Sequence, residues 1–124
     1  MLLCSSFFIK IEEMARRSFL GEFELIVLWA VLRLGEEAYG VPIAQELEAC
    51  SGREVVLGSV YAALERLEQK GLVTSQIGES TPERGGRAKR YFRVTAKGVR
   101  EARATRHTFL KLWQGVPELQ GGQA

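Results

Sequence analysis

A chain of 124 residues with 46% apolar and 26% charged side chains is one small globular domain, with a core limited enough that self-association would add stability. Cys4 and Cys50 are too few and too ill-placed for a disulfide framework or a metal knuckle, which fits a reducing cytoplasm. Aspartate is absent, and the single histidine, His107, lies in a basic segment with no acid or cysteine at ligand spacing, so neither a metal site, a cofactor nor a hydrolytic triad is expected and the chain does not read as an enzyme.

The opening Met1–Ile11 is apolar but lacks a basic start and a small-residue cleavage site, and it falls far below bilayer-spanning length; neither a signal peptide nor membrane association is expected. Met14-Ala15-Arg16-Arg17 looks like a conventional beginning, so residues 1–13 are an over-extended start or a loose arm, and residues 1–18 are set apart as that arm. From Phe19 to Leu34, Leu20, Phe23, Ile26, Val27, Ala30, Val31 and Leu34 recur at helical spacing, and Gly35 stops the helix. Pro42 is allowed in the first turn of a second helix running through Ile43, Leu47 and Ala49 to Gly52. A short extended run, Glu54–Leu57, leads into a third.

That third helix, Gly58 to Lys70, places Val60, Leu64 and Leu67, with Leu57 before them, along one buried side. Ser59, Ala62, Ala63, Arg66 and Lys70 fall opposite, small residues first and cations after, a surface that can approach a groove closely and offer donors to phosphates and base edges. Gly71 ends it. Leu72–Ile77 and Lys89–Val94 read as two strands around a Gly/Pro/Ser-rich turn, Phe92 and Val94 alternating with Tyr91 and Arg93. Thr95 caps a last helix from Ala96 to about Val116, and Pro117 ends the ordered chain, leaving 117–124 as a disordered tail.

Charge separates along the chain. Residues 82–111 hold ten Lys/Arg against two glutamates, a formal +8, and the remainder is a formal −6. A localised basic stripe is the footprint of polyanion binding, and Gly85-Gly86 among the arginines suggests a loop tip able to follow a DNA backbone. Three helices, a hairpin and a helix, with the charge so placed, give a mainly α fold with a small β-hairpin (α+β): a winged helix-turn-helix over residues 19–94, followed by a C-terminal dimerisation helix over 95–116. Its expected partner is double-stranded DNA, with Ser59, Ala62, Arg66 and Lys70 toward the major groove and Arg84, Arg87, Lys89 and Arg90 on the wing. The rival readings are a winged-helix module that docks an acidic protein and a non-selective polyanion binder.

In the last helix Val99, Ala102, Arg106, Phe109, Trp113 and Val116 form a stripe whose large aromatics exceed what so small an interior can hold, which points to a homodimer seam. Phe109 and Trp113 either pack there or stack on a small aromatic effector. Gly121-Gly122-Gln123 spells a peptide-release tripeptide by chance, and Ser59, Ser75 and Ser80 are explained by caps and turns.

Four segments in order resemble the PadR-like transcriptional regulators across roughly Leu20 to Gly98. Tyr39-Gly40-Val41-Pro42-Ile43 stands where the family has a His-Gly-Tyr-x-Ile opening of the second helix, and Gly58-Ser59-Val60-Tyr61 where it has Gly-Thr-Leu-Tyr. Arg66-Leu67-Glu68-Gln69-Lys70-Gly71-Leu72-Val73 and Lys89-Arg90-Tyr91-Phe92-Arg93-Val94-Thr95-Ala96-Lys97-Gly98 complete the set. The resemblance implies a dimeric DNA-binding repressor, paired through its final helix, acting on genes of detoxification, phenolic acid metabolism or drug efflux. It also implies that Tyr61 hydrogen-bonds a phosphate; the alternative is a partly buried ring beside Leu57 and Leu64. Val41 and Pro42 depart from the family's tyrosine and polar residue, and Phe92 from a frequent tyrosine, so contacts made by those groups do not carry over.

Overall fold

Apolar side chains at three- and four-residue steps generate three helices whose stripes can be buried only against one another. In the computed structural model, which describes residues 20–78 and 88–120, these are α1 (Glu22–Leu34), α2 (Gly40–Ser51) and α3 (Leu57–Gln69). β1 (Val73–Ile77) and β2 (Arg90–Val94) follow, then α4 (Ala96–Trp113), with short 3-10 turns at Gly35–Glu37 and Pro117–Leu119. The fold is helix-rich with one small antiparallel sheet, as the order of elements implies. The 1–18 arm, Phe19, residues 79–87 and residues 121–124 lie outside the described residues.

Val27, Leu28 and Val31 of α1, Ile43 and Leu47 of α2, and Val60, Leu64 and Leu67 of α3 meet in one core, closed below by Leu72, Val73 and Phe92 of the hairpin. A leucine or valine so enclosed contributes about 1.5–3 kcal/mol by leaving water. Ala63, expected on the outer side of α3, is fully buried, because α3 is wedged between α1 and α2 and its inward face is wider than one stripe. Leu57, expected inside, begins the helix and is 37% exposed. The extended run before it forms no strand among the described residues, though Val56, the N-cap, has extended dihedrals.

The stops fall where glycines stand. Gly71 adopts φ 76°, its N–H reaching the Glu68 carbonyl at 3.0 Å and the Leu72 N–H reaching the Leu67 carbonyl at 2.9 Å. This is a Schellman closure, whose apolar partners Leu67 and Leu72 are both buried. It turns the chain straight from α3 into β1. β1 and β2 pair antiparallel from Val73 opposite Val94 to Ile77 opposite Arg90. A third short piece, unforeseen in the sequence, joins β2: the Phe92 N–H donates to the Ala38 carbonyl at 2.8 Å, and Tyr39 bridges Tyr91.

α4 starts on Thr95, whose hydroxyl accepts the Gly98 N–H at 3.0 Å and donates to the Gly71 carbonyl at 2.8 Å. A Cβ on Gly98 would collide with the Leu72 carbonyl and lie 2.6 Å from Val94 Cγ1, so this glycine lets α4 rest on the α3–β1 turn. The helix ends at Trp113, three residues before the expected Val116, and Pro117 opens a 3-10 turn rather than a structureless tail. Among the described residues no helix is long and apolar enough to cross a membrane.

Candidate nucleic-acid interface

The buried stripe of α3 leaves the opposite side to solvent. Ser59, Ala62 and Arg66 are exposed there, Tyr61 is 39% exposed and Lys70 half-buried. Ser59, Ala62 and Arg66 line one shallow hollow with Phe23 and the Glu54–Val56 segment. With small side chains at its start, this face has little bulk to hold a double strand at a distance.

Tyr61 does not hang free. Its ring lies over the Cα of Gly40, at the start of α2, so closely that a Cβ there would overlap the phenol. Gly40 is thus the seat for the hydroxyl end of Tyr61, which stays 39% exposed.

The two cations of α3 share one carboxylate. Arg66 Nε donates to Glu24 Oε1 at 3.1 Å, and Lys70 Nζ reaches Oε1 at 3.1 Å and Oε2 at 3.0 Å. Glu24 also accepts the Gly21 N–H at 3.2 Å, the half of a capping box that its position in the first turn of α1 allows; Gly21 has no side chain to return the bond. Burial works to raise the Glu24 pKa, but the Lys70 hydrogen bond, the Gly21 N–H, the Lys70 charge and the Arg66 hydrogen bond together outweigh it and hold the carboxyl below its usual range. Nothing in the sequence pointed to Glu24, which reads as a helix-capping residue 42 positions from Arg66.

A second glutamate ties α3 to the hairpin. Glu68 accepts from Arg90 Nη2 at 2.7 Å and from the Ser75 hydroxyl at 2.7 Å, so Ser75 serves this link rather than a turn. Arg90 also lies over the Phe92 ring, 5.1 Å from its centroid. Lys89 stands 4.3 Å from the centroid of Tyr39 and donates to its hydroxyl at 3.3 Å, and the Tyr39 and Tyr91 rings meet edge-on at 5.4 Å. These contacts hold the base of the hairpin against α3 through Glu68 and against the start of α2 through Tyr39. Arg84 and Arg87, expected at its tip, lie outside the described residues.

The stripe of α4 divides along its length. Ala102 is 4% exposed and belongs to the chain's own core, which removes it from the expected seam, and Val99 is half-buried. Beyond them Arg106, Phe109 (47% exposed) and Trp113 (51%) face solvent, together with Leu110 and Leu112, while Val116 is half-buried past the helix end. Phe109 meets Trp29 of α1 edge-on, with centroids 6.5 Å apart.

The geometry has relatives. The family model of the transcriptional regulator PadR-like family matches residues 28–104. Among solved structures, a PadR-like transcription factor from Bacteroides fragilis is 27% identical, with 83% of this chain and 91% of that one covered at a TM-score of 0.62. A PadR family regulator from Eggerthella lenta covers 96% of this chain and 97% of its own at 24% identity and a TM-score of 0.63. One from Bacillus cereus reaches 0.64 at 23% identity over 82% and 93% of the two chains. No curated protein matches the sequence. A model match over more than half the residues, on a winged helix with an exposed α3, carries the conclusion: the chain belongs to the PadR-like family of DNA-binding transcriptional regulators, which are not enzymes.

Proposed function

We propose that the protein is a cytoplasmic, dimeric repressor that reads an inverted-repeat operator with α3 and steadies itself on adjacent backbone with the hairpin. The observation that carries this reading is the solvent face of α3, where Ser59, Tyr61, Ala62 and Arg66 lie opposite a fully buried stripe. Ser59, Ala62, Arg66 and Lys70 are assigned to the major groove, Tyr61 to a phosphate, and Lys89, Arg90, Arg84 and Arg87 to the wing.

The dimer is supported by the far half of α4, where Phe109, Leu110, Leu112 and Trp113 expose neighbouring apolar surface that a lone protomer leaves wet. A two-fold axis through this seam would set two α3 helices about one DNA turn, roughly 34 Å, apart. With Phe109 engaged by Trp29, the ring open to a planar aromatic effector at the seam is Trp113. Fluorescence titration in a Trp29→Phe background tests that contact.

Repression is tested by mobility shift and reporter assays with fragments from upstream of the protein's own gene. Selective, salt-sensitive binding that lowers reporter output supports the proposal. Salt-sensitive binding without selectivity would instead make the protein a general polyanion binder, and activity only toward acidic proteins would make it an interaction module. Arg66→Ala should cost about 1–3 kcal/mol at particular operator positions, whereas Arg87→Ala should weaken all duplexes and lower the salt slope by about one unit.

A further inference from the structure

The carboxylate of Glu24 reaches across from α1 to hold both cations on the exposed side of α3. Its carrier is 7% exposed and its own position is fixed by the Gly21 N–H, so it is a rigid post rather than a wandering surface acid. Arg66 is gripped at Nε alone. The donors on its two terminal nitrogens make no hydrogen bond among the described residues, and the side chain remains half exposed beside Ser59 and Ala62. A guanidinium tethered at Nε has already lost much of its rotamer freedom before any duplex arrives, and its terminal fork is the part that pairs with the O6 and N7 of guanine. Lys70 also donates to both carboxylate oxygens, so the one negative charge of Glu24 offsets one of the pair's two positive charges. Two cations one turn apart on a DNA-facing helix would otherwise attract any phosphate, whatever the sequence.

We infer that Glu24 is a specificity-determining positioning residue: by holding Arg66 and Lys70 it lowers affinity for arbitrary duplex and presents the Arg66 fork for base readout. The inference rests on the reading that α3 enters the groove.

The test compares the full-length wild type with Glu24→Gln, Glu24→Asp, Glu22→Gln and Arg66→Ala. Each is titrated against an operator fragment selected from genomic DNA and a random duplex of equal length, at several salt concentrations. Glu24→Gln should bind random duplex more tightly, steepen the dependence of log K on log salt by about one unit, and lower the operator-to-random ratio about tenfold. Glu24→Asp keeps the charge but withdraws the carboxylate by one methylene; it should lose discrimination while keeping the wild-type slope. Glu22→Gln makes the same change of net charge from an exposed position on α1 and should leave the ratio intact. A Glu24→Gln protein whose ratio and slope match wild type, or merely match Glu22→Gln, overturns the inference, as does a Glu24→Asp protein with undiminished discrimination. If Arg66→Ala keeps both affinity and ratio, the groove reading fails instead, a separate result. Thermal melts of each variant keep loss of fold apart from loss of readout.

Discussion

α3 and the outer half of α4 have similar amphipathic spacing and opposite fates. In α3 the stripe Val60, Leu64, Leu67 is wholly enclosed, and the helix is fastened at Glu24, Gly40 and Glu68, so that what remains outside is polar and oriented. In α4 the first turns rest on Leu72 and the core, but from Arg106 onward the large apolar side chains are exposed, and their ring contact among the described residues is Trp29 against Phe109. An apolar period says that a face will be covered. It does not say by what: the same pattern serves a core when neighbours exist and an interface when they do not.

The largest expected effect lies inside α3. Leu64→Ala should destabilise the protein by about 2–5 kcal/mol, read as a shifted midpoint in urea, because the surrounding core can collapse only partly around the lost atoms. A similar loss from Leu112→Ala, measured at concentrations too low for association, would erase the contrast between the two helices. Next is Gly98→Ala, whose methyl meets the Leu72 carbonyl, a backbone group, as well as Val94 Cγ1; about 1–3 kcal/mol is expected from overpacking, with α4 lifted from the α3–β1 turn. Leu112→Ser with Trp113→Ser should leave protomer melting nearly unchanged and shift the sedimentation profile toward monomer. Unaltered sedimentation would mean that the outer half of α4 is not the seam.

The smallest effect is on pH dependence. A carboxyl held below its usual range in the folded protein adds stability that is present above the unfolded value and disappears as pH falls through the folded one. The advantage of wild type over Glu24→Gln in melting temperature should therefore be full at neutral pH and vanish on acidification below the ordinary glutamate range. An advantage that persisted there would assign it to shape rather than charge.

Much of this was legible along the chain. Periodicity at Val60, Leu64 and Leu67 located the third helix, glycines 35, 52 and 71 marked the stops, and the alternation around Phe92 marked the second strand, because each depends on neighbours within a turn or on a backbone conformation that glycine enters freely. Other features were not. Ala63 is buried because of the angle at which two other helices meet α3; Ala38 and Tyr39 join the sheet because β2 happens to run beside them; Glu24 meets Arg66 across 42 residues.

Residue order alone determined the kinds of elements, their succession and the basic stretch that follows the third helix, all set by local sterics and by which faces must leave water. Tertiary structure alone decided which carboxylate each cation serves, where the Tyr61 ring rests, and which part of α4 belongs to its own domain. Those outcomes depend on distances between segments remote in the chain, and such distances come into being only when the helices pack.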